Sequence, residues 1–162
     1  MKVHTLIREQ VLDRPPEAVF PFFGDPFNLE AITPPLLRFQ VVDAEPSEIG
    51  IGTLIQYRLR IHGVPLDWLT RIEAWKPGVA FVDIQLAGPY RLWHHTHTFE
   101  ERSGATLMRD VVRYALPLWP LGEVAASLAR RDLGQIFDFR RDAVARLLNA
   151  DSRPAPGGAK LH

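Results

Sequence analysis

The sequence predicts an α+β domain in which an antiparallel sheet of about seven strands curls around one long C-terminal helix, with two short helices after strand 1. Three observations carry this reading. Turn signals recur at intervals of about ten to fifteen residues between Thr33 and Leu116, the rhythm of an antiparallel meander. From Trp119 onward the apolar period changes, and Leu133, Ile136, Phe137, Val144, Leu147 and Leu148 fall on one helical stripe. Between the first apolar run and the meander, prolines at 15, 16, 21, 26, 34 and 35 leave room only for short helices. A sheet whose only large cover is one helix must wrap that helix to bury both. The wrap leaves space for a ligand.

In order, residues 3–12 read as a strand stopped by Asp13-Arg14-Pro15-Pro16. Pro16 suits the first turn of a helix over 17–23, and Glu17 suits the positive end of its dipole. Asp25-Pro26 opens a second short helix over 27–32. Strands follow at about 37–44 and 52–61, and His62-Gly63 supplies a two-residue hairpin turn. That turn sets Tyr57 opposite Trp68 and Leu59 opposite Leu66. A long strand over 64–75 turns at Lys76-Pro77-Gly78 into a strand over 79–86, and Ala87-Gly88-Pro89 leads into the next. Arg102-Ser103-Gly104 closes a further hairpin before the last strand, 105–116. The helix is expected from 121–123 to about 149, roughly 40 Å at 1.5 Å per residue, as one domain over 1–149. Residues 150–162, rich in Pro and Gly, read as a disordered tail.

Composition removes several functional classes. Nineteen basic and nineteen acidic residues cancel, which argues against nucleic acid or an anionic surface as partner. There is no cysteine, so disulfides, thiolate nucleophiles and Cys-based zinc sites are excluded. No apolar run is long enough to span a membrane and the N-terminus lacks a signal-peptide pattern, so the expected setting is the cytoplasm.

The chemistry concentrates in Trp93-His94-His95-Thr96-His97-Thr98-Phe99. Strand alternation puts Trp93, His95, His97 and Phe99 on one face and turns His94 away. With Ser103-Gly104 as the loop, cross-strand partners have numbers that sum to 207. Phe99 then faces Met108, His97 faces Asp110, His95 faces Val112 and Trp93 faces Tyr114, all on the apolar face. A His97–Asp110 pair inside an apolar wall is either a structural pair that fixes register, a ligand anchor, or an acid/base. His95, His97 and Asp110 could also compose a two-His, one-carboxylate metal site. That spacing is not diagnostic, and no metal or cofactor is expected. Arg140 lies on the helix's apolar stripe, where its head either snorkels outward or reaches a carboxylate beneath the helix.

Residues 2–149 resemble the START/Bet v 1-like superfamily, also called SRPBCC or polyketide cyclase/dehydrase proteins. The resemblance rests on the element order, the Pro-Pro-Glu-Ala-Val-Phe-Pro-Phe-Phe helix and the block Gly88-Pro89-Tyr90…Trp93-x-His95-x-His97-x-Phe99. Thr106-x-Met108-x-Asp110 and Ile136-Phe137-x-Phe139-Arg140 add to it. The Trp-His-His block looks like one bacterial branch of the superfamily. The resemblance implies a helix-grip fold with a cavity for a small hydrophobic molecule of lipid, polyketide, quinone or terpenoid type. It carries over no catalytic residue.

The leading expectation is therefore binding or transport of such a molecule by a monomer or homodimer. The candidate ligand-binding residues are Tyr57, Trp68, Phe81, Trp93, His95, His97, Asp110, Val112, Tyr114 and Phe137. The short helices, especially 23–29, are expected to gate the cavity. Two alternatives stand beside it. One is a cyclase, dehydratase or hydrolase with His97 and Asp110 as catalytic candidates. The other is a protein-interaction module on the sheet's outer face, which would need a large exposed apolar patch.

Overall fold

The computed structural model describes residues 1–45 and 48–150. Strand β1 (His4–Leu12) is followed by α1 (Pro16–Phe23), α2 (Asn28–Ala31) and a single 3-10 turn at Pro35–Leu37. Six strands come next: β2 (Gln40–Glu45), β3 (Leu54–Ile61), β4 (Val64–Lys76), β5 (Ala80–Ala87), β6 (Leu92–Arg102) and β7 (Ala105–Ala115). A 3-10 segment, Leu121–Ala125, runs into the long helix α3 (Ala126–Ala150). The predicted tail lies outside the described residues from 151 onward. No helix of the described residues is long and apolar enough to cross a membrane.

The seven strands form one antiparallel sheet in the order β1-β7-β6-β5-β4-β3-β2, so the first strand closes against the last. Both two-residue hairpins form where the sequence places them. His62 and Ser103 take φ of 49° and 52°, and the glycines after them take 79° and 82°, the left-handed pair that a twisted hairpin favours. Register follows from these turns: Tyr57 pairs with Trp68 and Leu59 with Leu66. Across β6 and β7, Phe99 pairs with Met108, His97 with Asp110, His95 with Val112 and Trp93 with Tyr114, as predicted. Irregularities between Leu69 and Thr70 and between Ile72 and Ala74 break the β4–β5 ladder. Such bulges add bend and twist, which helps a sheet close on a helix.

Three apolar clusters fill the interior. The largest joins α1 (Val19, Phe20, Phe23) to Phe81, Phe99 and Met108 of the sheet and to Val144 and Leu148 of α3. A second packs Trp93, Val112 and Tyr114 against Leu133 and Phe137 of α3. A third gathers Val41, Ile55, Tyr57 and Ile72 at the far side of the sheet. The middle of α3 (Leu133, Phe137) thus sits on the second cluster and its C-terminal part (Val144, Leu148) on the largest, with Arg140 between them in the sequence.

Candidate functional site

Alternation along β6 points His95 and His97 inward, and both are buried, at 3% and 4% exposure. Their ring centroids lie 3.6 Å apart, with the planes tilted by 35°. Such a pair tolerates burial only if its polar atoms find partners. Two carboxylates supply them, one from each neighbouring strand. On one side, Asp110 Oδ1 lies 2.9 Å from His95 Nε2 and 2.9 Å from His97 Nδ1. On the other, Asp83 Oδ2 lies 2.9 Å from His97 Nε2 and 3.5 Å from His95 Nδ1. Asp83 Oδ1 also accepts from Trp93 Nε1 at 3.3 Å.

The protons can be assigned from this geometry. An ionised carboxylate only accepts, so a nitrogen hydrogen-bonded to one must carry hydrogen. His95 donates from Nε2 to Asp110, and His97 donates from Nε2 to Asp83. His97 Nδ1 also faces Asp110, although without hydrogen-bond alignment. Burial opposes a charge on His97, but Asp110 and Asp83 outweigh it and hold this imidazole above its usual range. Burial and the charge on His97 push His95 down, against both carboxylates. Burial alone would raise the two acids, yet the imidazoles hold Asp110 well below the usual carboxylate range. Asp83 is lowered too, with Arg140 contributing beside the histidines. Of the two rings, His97 is thus the one pushed toward the cation and His95 the one pushed toward neutrality, with the Arg140 guanidinium beside Asp83.

Only one side of this cluster reaches open space. An inner chamber of about 120 Å³ lies between sheet and α3, and Asp83, His95 and Arg140 stand at its polar end. Of the residues predicted to bind ligand, Tyr57, Trp68, Trp93, His95 and Phe137 line it. Phe81, His97, Asp110, Val112 and Tyr114 are not part of its wall. His97 lies face to face with Phe81, centroids 3.9 Å apart. Val112 is fully buried in the second cluster, and Tyr114 stacks on His4. Asp110 borders a separate gap of about 10 Å³ under α3, beside Arg140 and Val144. Burial, with Asp83 nearby, pushes the Tyr57 hydroxyl far up, so it remains a hydrogen donor at the chamber wall.

A larger outer chamber of about 630 Å³ opens between the Pro35–Leu37 turn, the His62-Gly63 hairpin, Pro89-Tyr90 and the first turns of α3. It shares Leu37, Ile61, Tyr90 and Ile136 with the inner chamber, so the two chambers adjoin at these four residues, a boundary termed the neck. Across the mouth, His62 Nε2 meets Asp132 Oδ2 of α3 at 2.8 Å. Of the expected gate, Leu29 lines the inner chamber, whereas Phe23 packs in the largest cluster against Phe99. Tyr90 is held at the neck by Gln85, whose Nε2 donates to the Tyr90 carbonyl at 2.7 Å and whose Oε1 accepts from its N–H at 3.2 Å. Gly88 makes that clamp possible, because a Cβ there would stand 2.6 Å from Gln85 Oε1.

Asp83 is absent from the candidates that the sequence offers, although alternation marks it: Phe81 is expected inward, and Asp83 two residues on must share its face. Arg140, for which the sequence leaves two courses open, lines the inner chamber with its guanidinium carbon 4.9 Å from the Phe137 ring centre. Donor atoms of Asp83, His95 and His97 come within 4.8 Å of one another, so the carboxylate completing a three-ligand set is Asp83 and not Asp110. Hydrogen bonds to Asp110 and Asp83 already engage one nitrogen of each ring.

No family model and no curated protein matches the sequence. Solved structures match throughout the chain. The Zhui aromatase/cyclase from a Streptomyces species aligns with a TM-score of 0.77 at 13% identity, covering 96% of this chain and 99% of that one. Ara h 8.0201 aligns at 0.68 and 17% identity, covering 92% and 99%. A START superfamily protein from Mycobacterium smegmatis aligns at 0.62 and 13%, covering 89% and 99%. At such identities the likeness concerns the fold. The chain has the START/Bet v 1-like helix-grip fold.

Proposed function

We propose that this protein binds a small hydrophobic molecule in the paired chambers between the sheet and α3. The carrying observation is the pair itself: an outer volume of about 630 Å³ that adjoins an inner one of about 120 Å³ at a boundary of shared residues. Small-molecule sites span roughly 300–1,000 Å³ and combine apolar walls with a few polar groups. The inner chamber adds Asp83, His95 and Arg140 to such walls. Balanced net charge favours a small neutral partner over nucleic acid. On the sheet's outer face, ion pairs such as Arg58–Asp67 and Arg71–Glu73 weigh against an interaction module there.

A reaction on the bound molecule is the second reading. It is favoured by polar groups of displaced proton affinity at the end of an apolar chamber, and by the likeness to a structure named as an aromatase/cyclase. His95 and Asp83 would then face the substrate, with His97 and Asp110 holding them in place. The binding reading is tested with N-phenyl-1-naphthylamine, whose fluorescence rises in apolar surroundings. Saturable one-to-one binding with a raised melting temperature is expected. The absence of both saturation and a melting shift would remove the reading.

A further inference from the structure

We propose that the inner chamber recognises a neutral carbonyl oxygen on a ring-sized head, while the outer chamber takes that molecule's apolar tail. This deepens the hydrophobic-binding reading and rests on it. The argument starts from unused donors. Trp68 Nε1 and Arg140 Nε are buried and have no hydrogen-bond partner. Both residues belong to the wall of the inner chamber. Buried donors in folded proteins are nearly always paired, so two orphans on one small cavity call for an acceptor that the protein does not itself supply. A purely hydrocarbon ligand would leave both unpaired. A ligand with a carbonyl oxygen offers two lone pairs to two donors.

Charge decides between a neutral and an anionic acceptor. Asp83 stands on the same wall, and its carboxylate already faces His97 Nε2 at 2.9 Å. Asp83 and Asp110 already set two carboxylates beside the single Arg140 guanidinium. A ligand carboxylate would bring an uncompensated negative charge beside Asp83 into an enclosed, apolar space, where that is unfavourable. A ketone, quinone or lactone oxygen accepts without adding charge. Size sets the head: about 120 Å³ is close to the cavity of ~150 Å³ known to admit one benzene ring.

The test uses three ligands of one shape, butylbenzene, 4-butylacetophenone and 4-butylbenzoate, competing with N-phenyl-1-naphthylamine. The ketone is expected to bind at least about tenfold more tightly than either of the others. Its carbonyl stretch should fall in frequency on binding, as hydrogen bonding requires. Trp68→Phe and Arg140→Met should each shrink the ketone-to-hydrocarbon ratio and return the stretch toward its value in hexane. Equal affinity for ketone and hydrocarbon would overturn this proposal while leaving the binding reading intact. Preference for the benzoate would overturn the charge argument and with it the proposal. Failure of all three, and of the fluorescent probe, would overturn both readings.

Discussion

Two carboxylates and two imidazoles in an apolar interior are costly unless proton placement lets each N–H meet an oxygen. Here the rings of His95 and His97 lie between Asp83 and Asp110, and one N–H from each ring ties the four groups together. The sign of the pH dependence follows. His97 holds its proton more tightly folded than unfolded, so its contribution is complete below the unfolded value of about 6.5 and fades as pH rises through the higher folded value. His95 runs the other way: its contribution is complete above about 6.5 and fades as pH falls. Asp83 and Asp110 contribute above about pH 4 and lose that contribution as acid protonates them. Urea unfolding of the wild type and His97→Gln between pH 6 and 9 should therefore show a stability gap that narrows with rising pH. A constant gap would mean that His97 is not the cation. Asp110→Asn, which leaves the His97 charge half-paired, should cost about 3–5 kcal/mol at pH 7 by the same unfolding measurement.

Elements carry these side chains into place, and the hairpins do so most legibly. A two-residue turn with two left-handed residues admits one register, so Ser103-Gly104 alone fixes His97 opposite Asp110. The route to Asp83 is less direct. β5 joins β6 through the longer Gly88–Arg91 connection, and the interruptions in the β4–β5 ladder break numerical pairing from the other side. Only the shared face with Phe81 marks Asp83 as inward. Alternation also reports face and not depth. Trp93, His95, His97 and Phe99 all point inward, yet Phe81 covers His97 and α1 covers Phe99, so only the first two meet the chamber. The segment leading into α3 imposes a different constraint. A Cβ on Gly122 would lie 2.0 Å from the Pro117 carbonyl oxygen, a backbone atom that cannot move aside alone. Gly122→Ala is expected to cost about 1–3 kcal/mol, as overpacking does. A melting temperature equal to wild type would show that the connection yields freely.

At the scale of the molecule, one helix performs two tasks along its length. The C-terminal half of α3 seals the largest core with Ala143, Val144 and Leu148, while its N-terminal half, from Ala129 to Ile136, forms a wall of the outer chamber. Stability and binding are thereby separated along α3, and substitutions near its start should alter ligand size selection before they alter folding. The chain's tail-binding volume also sets a length rule. In a series of 4-alkylacetophenones, affinity should grow by about 0.8 kcal/mol per buried methylene until the outer chamber is full, then level off. Ala129→Trp places an indole into that chamber from α3 and should bring the plateau forward by several methylenes. Its effect on the shortest member of the series should be small, because the inner chamber is untouched. If long and short ketones lose affinity equally in Ala129→Trp, the two chambers do not divide the ligand into head and tail, and the neck at Tyr90 and Ile136 has no role in selecting it.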